Sequence, residues 1–340
     1  MKIQRTKIFF LIISFFIISS CYAQKQFKIV SLAPNWTNIV AAVSGTNDLV
    51  AVTRYCIFPD SIPRLVKEGK LEIIGGFADI NLEKVRSLKP DLILTCTGMQ
   101  IKYRDLFKKD GFNVIHMEET NLEEVYSKIL EFGKAIKKDL DAEKLVKEIK
   151  INFNNISLKY KEAHRVSVYY EINYFYKCVP GKDSYITELL KAVGGDPIFC
   201  DRPGIAPKVS WDEVVKANPD VILIPIWDNA GGPYFEGEKV GWGTTTPYEI
   251  AHRVGAQNVK AVKEGRIRYI NSAKTKQAGP QIPIAAELFG KTIHASGDLE
   301  LLKINIVPEI MEKVTFSQLL EYFPLYNYAA INMYRISFTN

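Results

Sequence analysis

The sequence predicts an α/β protein of two similar parallel-sheet lobes joined by one long α-helix. Three observations carry this. The stretch NLEKVRSLKPDLIL at 81–94 returns as SWDEVVKANPDVIL at 210–223. A second echo, WTNIVAAVSG at 36–45 and ITELLKAVGG at 186–195, precedes that unit in each half. Between the halves lies an amphipathic stretch, 141–162, long enough at ~1.5 Å per residue to span roughly 30 Å.

Each copy of the first repeat reads as a helix feeding a strand. A polar residue, Asn81 or Ser210, opens the helix as an N-cap. Pro90 or Pro219 ends it, since the proline ring cannot continue the turn. Asp and an unbroken apolar run follow, the pattern of a strand buried on both faces. The second repeat is a helix stopped by glycine.

In order, 27–34 is the first strand and its exit, 36–43 a helix, and 48–56 the second strand and exit. Phe58-Pro59 and Ile62-Pro63 mark an extended loop, because a residue before proline avoids helical backbone. A Gly-rich turn closes 72–79. Strands follow at 91–98 and 112–117, so β and α alternate as in a parallel sheet covered by helices. A helix opens at Asn121, and Asp141 caps the long one, which buries Leu145, Ile149, Phe153 and Ile156. The second lobe opens with a strand at 165–172 and an aromatic exit loop. The repeat follows, then an insertion rich in Gly and Thr. A turn and strand at 258–270 and a helix at 280–294 complete it. The last forty residues are helical and aromatic in composition.

The 340-residue chain begins with Lys2, Arg5 and Lys7, then an apolar run from Ile8 to Ile18. This is signal-peptide architecture, too short to span a bilayer. Two exits are open to it. Cleavage can fall after Ala23, or ISSC at 18–21 can act as a lipobox with a lipid on Cys21. The lipobox is slightly favoured. The expected organisation is a signal peptide at 1–23, an N-terminal lobe at 24–140, the linking helix at 141–162, and a C-terminal lobe with helical tail at 163–340. Removing 1–23 takes away three basic residues and no acidic one, lowering the formal charge from +6 to +3. Lysines spread along helices at so low a net charge are no nucleic-acid footprint. The mature chain is expected to be a monomer outside the cytoplasm.

Cys56, Cys96, Cys178 and Cys200 remain after Cys21. An exported chain permits disulfides. Pairing within each lobe, Cys56 with Cys96 and Cys178 with Cys200, stands against four separate small core residues. No Cys/His spacing suggests zinc. The four histidines, His116, His164, His252 and His294, include no pair at ligand spacing. No nucleophile elbow, Walker loop or dinucleotide fingerprint lies at a strand-helix junction. The chain is therefore expected to bind rather than catalyse, with no cofactor of its own.

The stretches IVSLAPNWTNIVAAV, LVAVTRYCIFP, GGFADINLEKVRSLKPDLIL, SWDEVVKANPDVILI, PGKDSYITELLKAVGG and NVKAVKEGRIRYI, taken in order, cover most of 27–294. Their order and spacing resemble the substrate-binding proteins of ABC importers for cobalamin, haem and iron-siderophores. The likeness is greatest to the cobalamin branch, whose extended Tyr-x-x-x-Pro loop is here Tyr55 to Pro59. Departures are Asn38 where the family commonly has Glu, His294-Ala295-Ser296 for His-Pro-Glu, the Trp242 insertion, and the tail after Gly297.

The resemblance implies a metal-chelate ligand, with any metal arriving inside it, and an ABC permease as partner. Ligands of α/β sheets sit at strand C-termini. That places Asn35, Trp36, Arg54, Tyr55, Phe77, Met99, Tyr174, Tyr176, Trp227, Tyr234 and Trp242 as candidate ligand contacts. Aromatic exits suit a flat corrinoid or porphyrin. Arg54 and Arg202 are few cations for an anionic siderophore, which weighs for a corrinoid. A siderophore or haem carrier is the alternative within the fold, and a chelatase-like enzyme the alternative outside binding. Docking on the permease falls by resemblance to Glu83 and Asp212, with Glu213 the fallback. Glu213 is expected to be occupied in a capping box with Ser210.

Overall fold

The computed structural model describes residues 27–172, 177–226 and 247–295. Along the N-terminal half run β1 (Ile29–Ser31), α1 (Pro34–Val43), β2 (Leu49–Val52), α2 (Ser61–Lys67), β3 (Glu72–Ile73), α3 (Leu82–Leu88), β4 (Leu92–Cys96), α4 (Ile101–Lys109), β5 (Val114–Met117) and α5 (Leu122–Ala135). Helix α6 (Asp139–Lys159) follows. The second half carries β6 (Val166–Tyr170), α7 (Tyr185–Ala192), β7 (Gly195–Pro197), α8 (Trp211–Ala217), β8 (Val221–Ile226), α9 (Pro247–Ala251), α10 (Lys260–Lys263), β9 (Ile267–Asn271), α11 (Ser272–Thr275) and α12 (Ile282–His294).

The strands form two sheets, ordered β3-β2-β1-β4-β5 and β7-β6-β8-β9, and every pairing is parallel. The repeat is real in detail. Asn81 accepts the Lys84 amide at the start of α3, and Ser210 the Glu213 amide at the start of α8. Lys89 and Asn218 close these helices in the left-handed region, both at φ 47°. A proline follows each, and β4 and β8 then run buried against the first strand of their own lobe.

Helix α6 opens at Asp139, two residues before the expected Asp141. It is 21 residues long and ends at Lys159, three residues short of the expected 162. It packs on α1 and α5 of the first lobe and on α12 of the second. Leu145 and Ile149 are buried, and Phe153 and Ile156 pack against the same core, which runs unbroken through both lobes. Gly133 lets α5 cross α6 closely, since a Cβ there would stand 2.3 Å from that of Ala142.

Three expectations are corrected. Residues 61–67 are helical, not extended: Pro63 lies in the first turn of α2, where its missing N–H would have had no helical partner. A short helix, α10, fills part of what reads as a turn before β9. The four described cysteines are free, so the intralobe disulfides do not form. Cys56 is buried with its sulfur 3.1 Å from Thr37 Oγ1 and 3.2 Å from Thr53 Oγ1, which satisfy it locally.

Candidate functional site between the lobes

The two lobes touch through residues just past strand C-termini. Glu119 follows β5, and its carboxyl accepts the Ala278 amide beyond β9 of the other lobe. Its carbonyl accepts the Tyr185 amide at 3.4 Å, and Leu122 donates to Glu188 Oε1 at 3.2 Å. The C-terminal edges of the two parallel sheets therefore face each other, which is where ligands of open α/β sheets bind.

Glu119 is buried, and burial, then the nearby Glu124 carboxylate, push its carboxyl up to about 8. Asn35 Nδ2 donates to its Oε1 at 2.8 Å, so Asn35 lies in this interlobe contact. Trp36 does not line the cleft. It is fully buried on the inner face of α1, its indole N–H donating to the Thr95 carbonyl at 2.8 Å and its ring packed near Phe132. The sequence carried that signal: Trp36, Ile39, Val40 and Val43 recur at helical spacing and form one core stripe.

On the N-lobe edge, Arg54 and Tyr55 leave β2, Phe77 leaves β3 and Met99 leaves β4. Tyr55 and Phe77 are half-buried, and Met99 is 54% exposed. The Phe77 loop is braced from beneath. Buried Gln100 donates to the Leu32 carbonyl at 2.7 Å and the Phe77 carbonyl at 3.0 Å, and accepts the Cys96 amide at 2.9 Å. Tyr103 donates its hydroxyl to the Ala78 carbonyl. Neither brace stands out in the sequence, because each acts on backbone far away along the chain.

The C-lobe edge carries a buried charge cluster. Glu171, just past β6, takes two hydrogen bonds from Arg253, at 2.7 and 3.0 Å, and one from Tyr169 at 2.8 Å. Lys177 reaches the same carboxylate at 3.3 Å. Past β9, Lys276 Nζ donates to the Ile172 carbonyl at 2.6 Å, and burial lowers its pKa to about 8. Tyr174, Tyr176, Trp227, Tyr234 and Trp242 lie outside the described residues, as does Cys21.

The docking candidates sit where the repeat puts them, at the starts of α3 and α8. The Glu83 side chain is 85% exposed and pairs with Arg86. Glu213 is engaged: it accepts the Ser210 amide at 2.8 Å and pairs with Arg202, which together hold its carboxyl at about 2. Asp212 is exposed.

The sequence profile of a family described as periplasmic binding protein matches residues 29–273. The chain belongs to the periplasmic binding protein family. As a member it is a substrate-binding protein of the kind that serves ABC importers. It is similar to an uncharacterized ABC transporter substrate-binding lipoprotein, YvrC, of Bacillus subtilis, with 27% identity over 78% of this chain and 80% of that protein. A vitamin B12-binding protein of Vibrio parahaemolyticus shares 22% identity over 58% of this chain and 70% of its own. Among solved structures, a periplasmic haem-binding protein from Pseudomonas aeruginosa superposes with a TM-score of 0.62 at 16% identity, over 80% of this chain and 94% of that one. At that identity the likeness establishes the two-lobed fold.

Proposed function

We propose that this periplasmic binding protein carries a corrinoid, cobalamin or a close relative, to an ABC permease outside the cytoplasm. The ligand sits 1:1 between the lobes and leaves unchanged. The observation that supports this reading is that Tyr55, Phe77 and Met99 follow β2, β3 and β4 at the C-terminal edge of one sheet, each partly exposed. Partly exposed aromatic and thioether side chains on three neighbouring strand exits, the Phe77 loop braced from beneath, offer an apolar surface to a flat macrocycle. The similarity to a protein named for vitamin B12 binding supports the same ligand. A leader cut just before Cys21, with a lipid on Cys21, fits delivery at the extracytoplasmic face of the membrane that holds the permease.

The test is a titration of the purified mature chain with cobalamin, haem and a ferric siderophore, followed by intrinsic Trp fluorescence. Saturable 1:1 binding of cobalamin is expected. Saturation by haem or siderophore with no response to corrinoids overturns the corrinoid assignment, and turnover of any ligand overturns the carrier reading.

A further inference from the structure

Arg54 is the cation beside Tyr55 and Phe77 on the N-lobe edge, and it is already committed. Its Nη1 lies 2.7 Å from Asp79 Oδ2 and its Nη2 lies 3.3 Å from Asp79 Oδ1, a two-pronged pair. The pair rests on Gly76. A Cβ at that position would stand 2.4 Å from Asp79 Oδ1 and 2.7 Å from the Arg54 Cζ, so a larger residue there would push the pair from this position. The guanidinium also lies over the Tyr55 ring, 5.1 Å from its centroid. Its position is therefore fixed by a carboxylate, a glycine and an aromatic face together. The Asp79 side chain remains 60% exposed, while Arg54 is 23% exposed, so the carboxylate stands at the rim with the guanidinium behind it. Phe77 belongs to the same loop as Asp79, which puts this pair beside the proposed ligand surface. The other arginine that the sequence offered, Arg202, is likewise paired, with Glu213.

We infer that Asp79 is a specificity-determining residue, whose pairing with Arg54 makes this edge accept neutral amide groups and reject carboxylates. The inference rests on the corrinoid reading and names the ligand chemistry that reading requires. An incoming carboxylate meets Asp79 first and gains a partner only by displacing it from Arg54. Like-charge contact of that kind is how sites exclude a wrong ligand. A primary amide carries a donor and an acceptor side by side. It meets a carboxylate acceptor beside a guanidinium donor without any charge left unbalanced. A corrinoid, whose periphery is amide-rich, fits this edge. A porphyrin bearing propionates does not.

The test uses the full mature chain and three probes: cobalamin, its derivative with one peripheral amide hydrolysed to a carboxylate, and haem. Affinities are measured by calorimetry at low salt. The wild type is expected to bind cobalamin at least about tenfold more tightly than the acid derivative. Asp79→Asn is expected to cut that preference to under about threefold, by gaining affinity for the acid, and to strengthen haem binding. The double variant Arg54→Gln with Asp79→Asn, which leaves no cation to unmask, is expected to lose that gain. Equal wild-type affinity for amide and acid, or an unchanged ratio in Asp79→Asn, overturns the inference while cobalamin binding stands. No binding of either corrinoid overturns the corrinoid reading and this inference together.

Discussion

Asp91 and Asp220 hold the same place in the two lobes. Asp91 Oδ2 accepts the Lys28 amide at 2.9 Å, and Asp220 Oδ2 accepts the Ser167 amide, also at 2.9 Å. The return bonds match: the Asp91 amide donates to the Lys28 carbonyl at 2.9 Å, and the Asp220 amide to the Ser167 carbonyl at 3.0 Å. Each aspartate thus clamps the N-terminal end of its lobe's first strand to the strand beside it, directly after the helix-ending proline. The carboxylate supplies an acceptor for an amide that the strand ladder does not reach.

Removing either carboxylate leaves that amide without its partner. Asp91→Ala and Asp220→Ala should each destabilise the fold by about 1–3 kcal/mol. For Asp220, burial pushes the pKa up, but bonds from Lys260 and Ser167 outweigh it and hold the carboxyl at about 2. Its contribution is therefore complete above the ordinary aspartate range near ~4 and fades as pH falls toward about 2. Urea unfolding across that range should show the Asp220→Ala deficit shrinking in acid. A deficit of constant size would mean that the ionised form matters little.

Glu119 predicts an opposite slope at higher pH. Its native carboxyl keeps a proton up to about 8, whereas the unfolded one releases it near ~4.3. Between those values the native state binds more protons, so stability falls as pH rises and levels off above about 8. The groups facing Glu119 are the Asn35 amide, the Ala278 N–H, the Glu124 carboxylate, the Tyr185 phenol and the Cys96 thiol. The full effect is on the order of a few kcal/mol. Lys276 acts the other way in its own window. Its lowered pKa of about 8 means that the unfolded chain binds more protons between there and ~10.4, where stability rises with pH. In Glu119→Gln the decline between pH 4 and 8 should flatten, read by thermal melts of wild type and variant in parallel.

The thiols give a third expectation. Cys56, Cys96 and Cys178 are buried, and burial raises the pKa of each, so thiolate is scarce as well as inaccessible. Cys200 is half-buried. Alkylation of the native protein, mapped by peptide mass, should label Cys200 first and the other three only after denaturant is added. Early labelling of Cys56 or Cys96 would place the N-lobe edge in a more open state.

Much of the fold was legible because it is written in local pattern. The caps Asn81 and Ser210, the prolines after them and the apolar runs fix two helix-strand units without any long-range information. The candidate site was legible only by position. Arg54, Tyr55, Phe77 and Met99 fall at strand exits, as the alternation of elements requires. What the site does with them depends on residues brought from elsewhere: Asp79 onto Arg54, Gln100 under Phe77, Glu119 onto Asn35. None of those partners has a sequence signature. Trp36 misled because a tryptophan after a strand suits a ligand, yet its helical stripe assigned it to the core.

The last prediction concerns the permease. Glu83 and Asp212 open equivalent helices, one on each lobe, and acids there also favour the helix dipole. Glu213 is held by Ser210 and Arg202, so Asp212 is the better placed acid of that turn. On the first lobe Arg86 lies on Glu83 at 2.6 Å, but the pair is exposed, and exposed pairs exchange partners at small cost. A two-lobed carrier that must present both lobes to one permease needs one contact on each, and we propose these two positions for it because the repeat makes them equivalent. Truncating one partner of a desolvated interfacial charge pair costs roughly 2–5 kcal/mol. The double variant Glu83→Ala with Asp212→Ala should therefore abolish uptake while leaving ligand affinity in solution unchanged, whereas Glu213→Ala should act mainly on stability through its lost capping box. Ligand titration and transport into vesicles carrying the permease read the two effects separately. Normal transport by the double variant would reduce both acids to helix-start residues and move the docking surface elsewhere.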